Sequence, residues 1–170
     1  EQIHLTDATV SNFRLPMTVS IYYKNGTIQY AKTTLKNTMD TFQIPLEQNA
    51  AVTMVLLDEN MEFLRKISYD YDENTLKNIA LESNKTFGRL EAIEKLRATA
   101  WKDKNKTYAE VYHKEKSSLV KNEIIEQTAK CEEDEYARDL LMHGLTDAHV
   151  QIRRNAIRSV NFKDETLKNL

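Results

Sequence analysis

The sequence predicts an all-β module over residues 1–71 followed by an all-α module over residues 72–170, and three observations carry that division. β-Branched and aromatic residues crowd Phe13 to Tyr71, whereas Ala, Leu, Glu and Lys dominate afterwards. Both prolines, Pro16 and Pro45, lie in the first third, so nothing from Leu46 onward removes an interior helix donor. The apolar period changes from two to about 3.6 near the polar, acidic Tyr69-Asp70-Tyr71-Asp72-Glu73-Asn74.

Met17, Val19, Ile21 and Tyr23 alternate with Thr18, Ser20 and Tyr22, which predicts a strand. Asn25-Gly26 follows at once and suits a two-residue type I′ hairpin turn. The return strand is expected over Thr27 to Leu35, with Ile28 and Tyr30 on one face. Phe42, Ile44 and Leu46 alternate again, with Pro45 marking an edge. Ala51 to Leu57 nearly lacks polar alternation and predicts a strand buried on both faces. Asp58-Glu59-Asn60 supplies a turn, and Phe63 to Tyr69 a returning strand. Five short strands at hairpin spacing predict a small antiparallel β-sandwich.

In the second half, Phe87, Leu90, Ile93 and Leu96 with Ala92 form one apolar stripe, and Leu119, Ile124, Ile125, Thr128 and Ala129 another. Tyr136, Leu140 and Leu141 predict a helix ending at a Gly144 C-cap. Asp147 is placed to cap the next helix, which points Val150, Ile152, Ala156, Ile157 and Val160 inward. A further helix is expected from Asp164, and it runs out of sequence, as a stack truncated at its C-terminal side would. Such short helices must bury their faces on one another as antiparallel pairs.

Hydrophobic residues at 41% and charged residues at 29% describe a chain able to bury a core. Lys plus Arg (24) against Asp plus Glu (26) leaves a net charge of −2, with no basic field for nucleic acid or an anionic membrane. No apolar run approaches the ~20 residues of a membrane span. The single cysteine, Cys131, excludes an internal disulfide and leaves the compartment open; its acidic neighbours disfavour a nucleophilic thiolate.

Arg89-Leu90-Glu91-Ala92-Ile93-Glu94-Lys95-Leu96 aligns with Arg153-Arg154-Asn155-Ala156-Ile157-Arg158-Ser159-Val160, 64 residues on. This spacing leaves room for one unmatched repeat around Tyr108 to Cys131. The pattern resembles the inner helix of a HEAT-type repeat, which implies close helix approach at the alanine and an arginine reaching a carboxylate in the neighbouring turn. Phe13-Arg14-Leu15-Pro16-Met17-Thr18-Val19, the Lys24-Asn25-Gly26 turn, Phe42, the apolar strand into Asp58-Glu59-Asn60, Phe63-Leu64-Arg65-Lys66-Ile67 and Arg89-Leu90-Glu91-Ala92-Ile93 follow in the same order. Together they resemble the region after the catalytic domain of gluzincin zinc metallo-aminopeptidases of the aminopeptidase N and leukotriene A hydrolase type. The resemblance implies an Ig-like β-sandwich followed by HEAT-like helices. It also implies zinc in a catalytic domain absent from this chain, and peptide substrates for the parent.

That family's chemistry needs H-E-x-x-H, because two histidines one helical turn apart grip zinc while the glutamate activates water. None of His4, His113, His143 or His149 begins such a motif, so no catalytic, metal or cofactor residue is expected in this chain. His143, Asp147 and His149 could be drawn as a loop metal site, but a polar turn with a capping aspartate accounts for them. Trp101 and Tyr108 flank a small basic stretch, Lys102 to Lys106, expected to be a solvated inter-helix loop. Asn25, Asn84 and Asn105 each open an N-x-T sequon. Arg153, Arg154 and Arg158 form a cationic helix face, either lining a cavity or bonding the turn before it. The expected function is a non-catalytic accessory region that walls off a peptidase cavity. The alternative is a stand-alone adaptor whose helical stack binds a protein partner.

Overall fold

The computed structural model describes residues 13–62, 70–129, 131 and 134–160. The residues before Phe13, the expected strand from Phe63 to Tyr69 and the helix expected from Asp164 lie outside that set. The chain divides into two compact units, Glu1–Ser68 and Tyr69–Leu170.

Among the described residues the first unit is one three-stranded antiparallel sheet in the order β2-β1-β3. Its strands are β1 (Leu15–Tyr23), β2 (Ile28–Leu35) and β3 (Val52–Leu57). The β1–β2 register runs from Leu15 opposite Leu35 to Tyr22 opposite Ile28. Their loop differs from the expected two-residue turn. Gly26 N–H donates to Tyr23 O (2.9 Å), Tyr23 N–H donates to Thr27 O (3.0 Å), and only Gly26 in the loop takes positive φ, at 85°. A three-residue loop with glycine last achieves the strand twist with one left-handed residue instead of two. Asn25 instead accepts Thr27 N–H through its side chain.

Burial on both faces belongs to β1, the central strand, where Val19 through Tyr23 are all buried. β3 alternates: Met54 and Leu56 are buried, while Val52 and Val55 are about two-fifths exposed. No strand forms at Phe42, Ile44 and Leu46. Ile44 alone joins the core of Val19, Ile21 and Tyr23, while Phe42 and Leu46 face solvent. Pro45 has no N–H for a ladder, so side chains tether the segment: Gln29 donates to Pro45 O, and Glu47 N–H donates to the Tyr23 hydroxyl.

The second unit contains six helices among its described residues: α1 (Glu73–Glu82), α2 (Thr86–Lys95), α3 (Trp101–Lys114), α4 (Ser118–Thr128), α5 (Glu135–Thr146) and α6 (Val150–Ser159). They stack in two rows: α1, α3 and α5 in one, α2, α4 and α6 in the other. The second helices begin at Thr86, Ser118 and Val150, a constant step of 32 residues. Thus the unmatched repeat between Ala92 and Ala156 is the α3–α4 pair. The core includes Ala92, Ile93, Leu96, Tyr108, Val120, Ile124, Ile125, Leu140, Leu141, Ile152 and Ala156. Helix α1 shows no stripe strong enough to stand out in the sequence, yet Leu76, Ile79 and Ala80 bury at i, i+3 and i+4.

Several apolar residues expected inside are exposed. Phe87 and Leu119 occupy the same place, the second residue of α2 and of α4, off the stripe that α4 buries through Val120, Ile124, Ile125 and Thr128. Val150 and Ile157 on α6 are also exposed. Lys102 to Lys106 is not a loop but part of α3. Nor does Gly144 end its helix. It lies inside α5, where a Cβ would meet Ile125 Cδ1 at 2.8 Å and Ala156 Cβ at 3.0 Å.

Candidate functional site

Polar chemistry in the helical unit concentrates at the three-residue turns that join each pair. Ser83, Glu115 and Asp147 are the C-caps of α1, α3 and α5, again 32 residues apart. Each side chain accepts the N–H two residues on: Ser83 from Lys85 (3.2 Å), Glu115 from Ser117 (2.8 Å) and Asp147 from His149 (2.8 Å). One side-chain oxygen therefore satisfies an orphan donor at the next helix start. Asp147 serves α6 in this way, although His149 is the N-cap residue itself.

Six residues after each C-cap stands a cation: Arg89, Lys121 or Arg153. Arg89 grips the Glu115 carboxylate through Nε (2.7 Å) and Nη2 (3.0 Å), while its Nη1 donates to Ser83 O (2.8 Å). Lys121 Nζ donates to Asp147 Oδ2 (3.0 Å) and lies 4.8 Å from the centre of the Tyr112 ring. Both partnerships reach 26 residues forward, into the turn of the following pair. Arg153 repeats the backward half: Nη1 donates to Asp147 O (2.9 Å) and Ala148 O (2.8 Å). Arg154 and Arg158 are exposed and form no ion pair among the described residues. The three expected cations therefore divide into one turn-bonding residue and two solvent-facing ones.

Burial alone would raise the Glu115 carboxyl. Hydrogen bonds from Arg89, Ser117 N–H and Lys116 N–H outweigh it and hold the group below the ordinary glutamate range. Burial likewise opposes ionisation of Asp147, and His149 N–H together with Lys121 again wins, leaving its carboxyl low. Within the stack, burial lowers the Lys104 ammonium, whose Nζ donates to Leu96 O and Gln127 Oε1, both at 2.9 Å. Burial also pushes the Tyr108 phenol up. Lys104 and Asn105 are thus buried structural groups. Asn105 donates to the Asp134 carboxylate (3.0 Å) and so offers no exposed acceptor for a glycan.

The structure assembles a different histidine set from the loop residues His143, Asp147 and His149. His113 in the last turn of α3 meets Asp139 and His143, one turn apart on α5. His113 Nε2 lies 3.1 Å from Asp139 Oδ2, and His143 Nε2 lies 3.5 Å from Asp139 Oδ1. The imidazoles meet edge to face with centroids 4.7 Å apart. A surface depression lined by Lys106, Glu110, His113, Glu135, Tyr136 and Asp139 opens beside them. The sequence signal for two of these three residues is Asp139-x-x-x-His143; the arrival of His113 depends on how α3 packs on α5. Among the described residues no helix is long and apolar enough to cross a membrane. The chain matches no protein-family model, no curated protein and no solved structure.

Proposed function

We propose that this chain is the non-catalytic C-terminal accessory region of a zinc-dependent aminopeptidase, its β unit an Ig-like sandwich spacer and its helical unit a HEAT-like wall. The observation that carries the reading is the constant 32-residue step, with a cation from one pair bonded to the turn of the next, placed directly after a β unit. A wall needs a shape that holds without a ligand, and forward-reaching rungs at each junction supply one. In the parent, such a wall over the catalytic cavity limits entry by size and favours short peptides. Of the three cations Arg153, Arg154 and Arg158, the exposed Arg154 and Arg158 are available to face that cavity.

The test has two arms. The encoding reading frame, extended upstream, contains H-E-x-x-H followed by a glutamate on a later helical turn. The isolated chain hydrolyses no aminoacyl-arylamide; a zinc-dependent rate from it overturns the proposal. The second reading, an adaptor that binds a protein partner, is favoured by α6, which presents Val150 and Ile157 to solvent beside Arg154 and Arg158. A complete reading frame of about this size, without a peptidase motif, decides for the adaptor.

A further inference from the structure

We propose that His113, Asp139 and His143 form a divalent transition-metal site that clamps α3 to α5. Among the described residues they are the one group of three potential ligands whose donor atoms all lie within 4.8 Å of one another. A tetrahedral zinc with ligand bonds of about 2.0–2.1 Å sets its donors about 3.3 Å apart. His113 Nε2 lies 3.1 Å from Asp139 Oδ2 and His143 Nε2 lies 3.5 Å from Oδ1, so each imidazole already stands near that separation from one oxygen of the same carboxylate. Gathering the two imidazoles and one carboxylate oxygen around a shared ion remains, and all three side chains are about half exposed, free to turn about their side-chain bonds.

The scaffold fixes what the rotamers leave open. Asp139 and His143 stand four residues apart on one helix, so their side chains share a face. His113 comes from the neighbouring helix of the same row, so an ion held by all three joins the second helix pair to the third. Ion pairing between exposed histidines and one carboxylate contributes little by itself, which leaves the convergence of three donors without another strong rationale.

Ligand chemistry selects the ion. Two imidazoles and one carboxylate suit zinc, copper or nickel, whereas calcium and magnesium want an all-oxygen shell. Three protein ligands leave one coordination position to water, but side chains this open to solvent describe a clamp rather than a reaction centre. This ion is distinct from the zinc of the proposed parent's catalytic domain, and its presence does not depend on that reading.

Isothermal titration of the intact 170-residue chain with zinc sulfate tests the site, with thermal melting alongside. The expected result is one zinc per chain and a rise in the melting temperature of the wild type. His113→Ala and His143→Ala each weaken binding roughly tenfold or more and abolish the melting shift. His149→Ala, exposed and outside the group, titrates like the wild type. Absence of saturable zinc binding overturns the proposal, as does binding that both variants retain. Loss of binding in His143→Ala but not in His113→Ala overturns the clamp, because the ion would then rest on α5 alone.

Discussion

At Gly144 three helices come within reach of a single methyl group. Adding a Cβ pushes on Ile125 Cδ1, the far end of a flexible side chain, and on Ala156 Cβ, which moves only with its backbone. Overpacking costs about 1–3 kcal/mol, and the better helix propensity of alanine returns about 1 kcal/mol. Gly144→Ala is therefore expected to destabilise by about 1 kcal/mol in urea unfolding, and Ile125→Val in the same chain recovers part of the loss. Read as sequence, His143-Gly144-Leu145-Thr146-Asp147 is a plausible stop signal, since the distance to Ile125 and Ala156 is not written locally. The turn cations offer a sharper contrast. The Glu115 side chain is 3% exposed, so Arg89→Ala strands a buried carboxylate and costs about 3 kcal/mol. Arg97 pairs with Glu123 from a side chain 59% exposed, and Arg97→Ala costs below about 1 kcal/mol. Chemical denaturation of the two variants side by side separates these values.

The pair-joining turn is the element whose chemistry responds to acid. The carboxyls of Glu115 and Asp147 titrate lower in the fold than in the unfolded chain. The unfolded chain therefore binds more protons as pH falls. Stability from these groups is fully present above their unfolded values, about 4.3 and 3.9, and is lost as pH drops through the lower folded ones. Thermal melts between about pH 6 and pH 3 should show this loss. In Glu115→Gln the acid limb becomes shallower and the neutral-pH stability lower. At the hairpin, Gly26 carries the one left-handed residue of its loop, so Gly26→Val costs about 1–2 kcal/mol in the β unit. Near-ultraviolet circular dichroism during unfolding reads it through the neighbouring tyrosines. Strand β1 was legible because its alternation is strict. The expected strand at Phe42 to Leu46 shares that alternation but has a proline in the middle and only Ile44 in the core. Alternation reports which side chains can share a face, not whether a neighbouring strand is there to pair.

Across the helical unit, burial changes along the stack at one equivalent position. Ile93 and Ile125 are fully buried, while Ile157, the matching residue of α6, is 51% exposed. Ile125→Ala should cost about 3–4 kcal/mol and Ile157→Ala under about 1 kcal/mol, measured by urea unfolding. The two matched segments at Arg89 and Arg153 revealed a repeat at twice its true step. The middle pair hides because Lys121 replaces arginine, Ile124 replaces alanine and Thr128 replaces the last aliphatic residue. Charge and burial are nevertheless kept: Lys121 is a cation, and Ile124 and Thr128 are buried like their counterparts. At the third turn, Asp147 is committed to Lys121 and to His149 N–H, as befits the polar turn expected there.

The uniform step makes the stack behave like a ruler with interchangeable divisions. Excising residues 90–121 would splice the start of α2 onto the body of α4 without a change of phase, and would bring the Arg89 guanidinium to the place where Lys121 now meets Asp147. Shortening or lengthening by whole divisions therefore preserves the junction chemistry, whereas a cut of any other length misaligns every rung downstream.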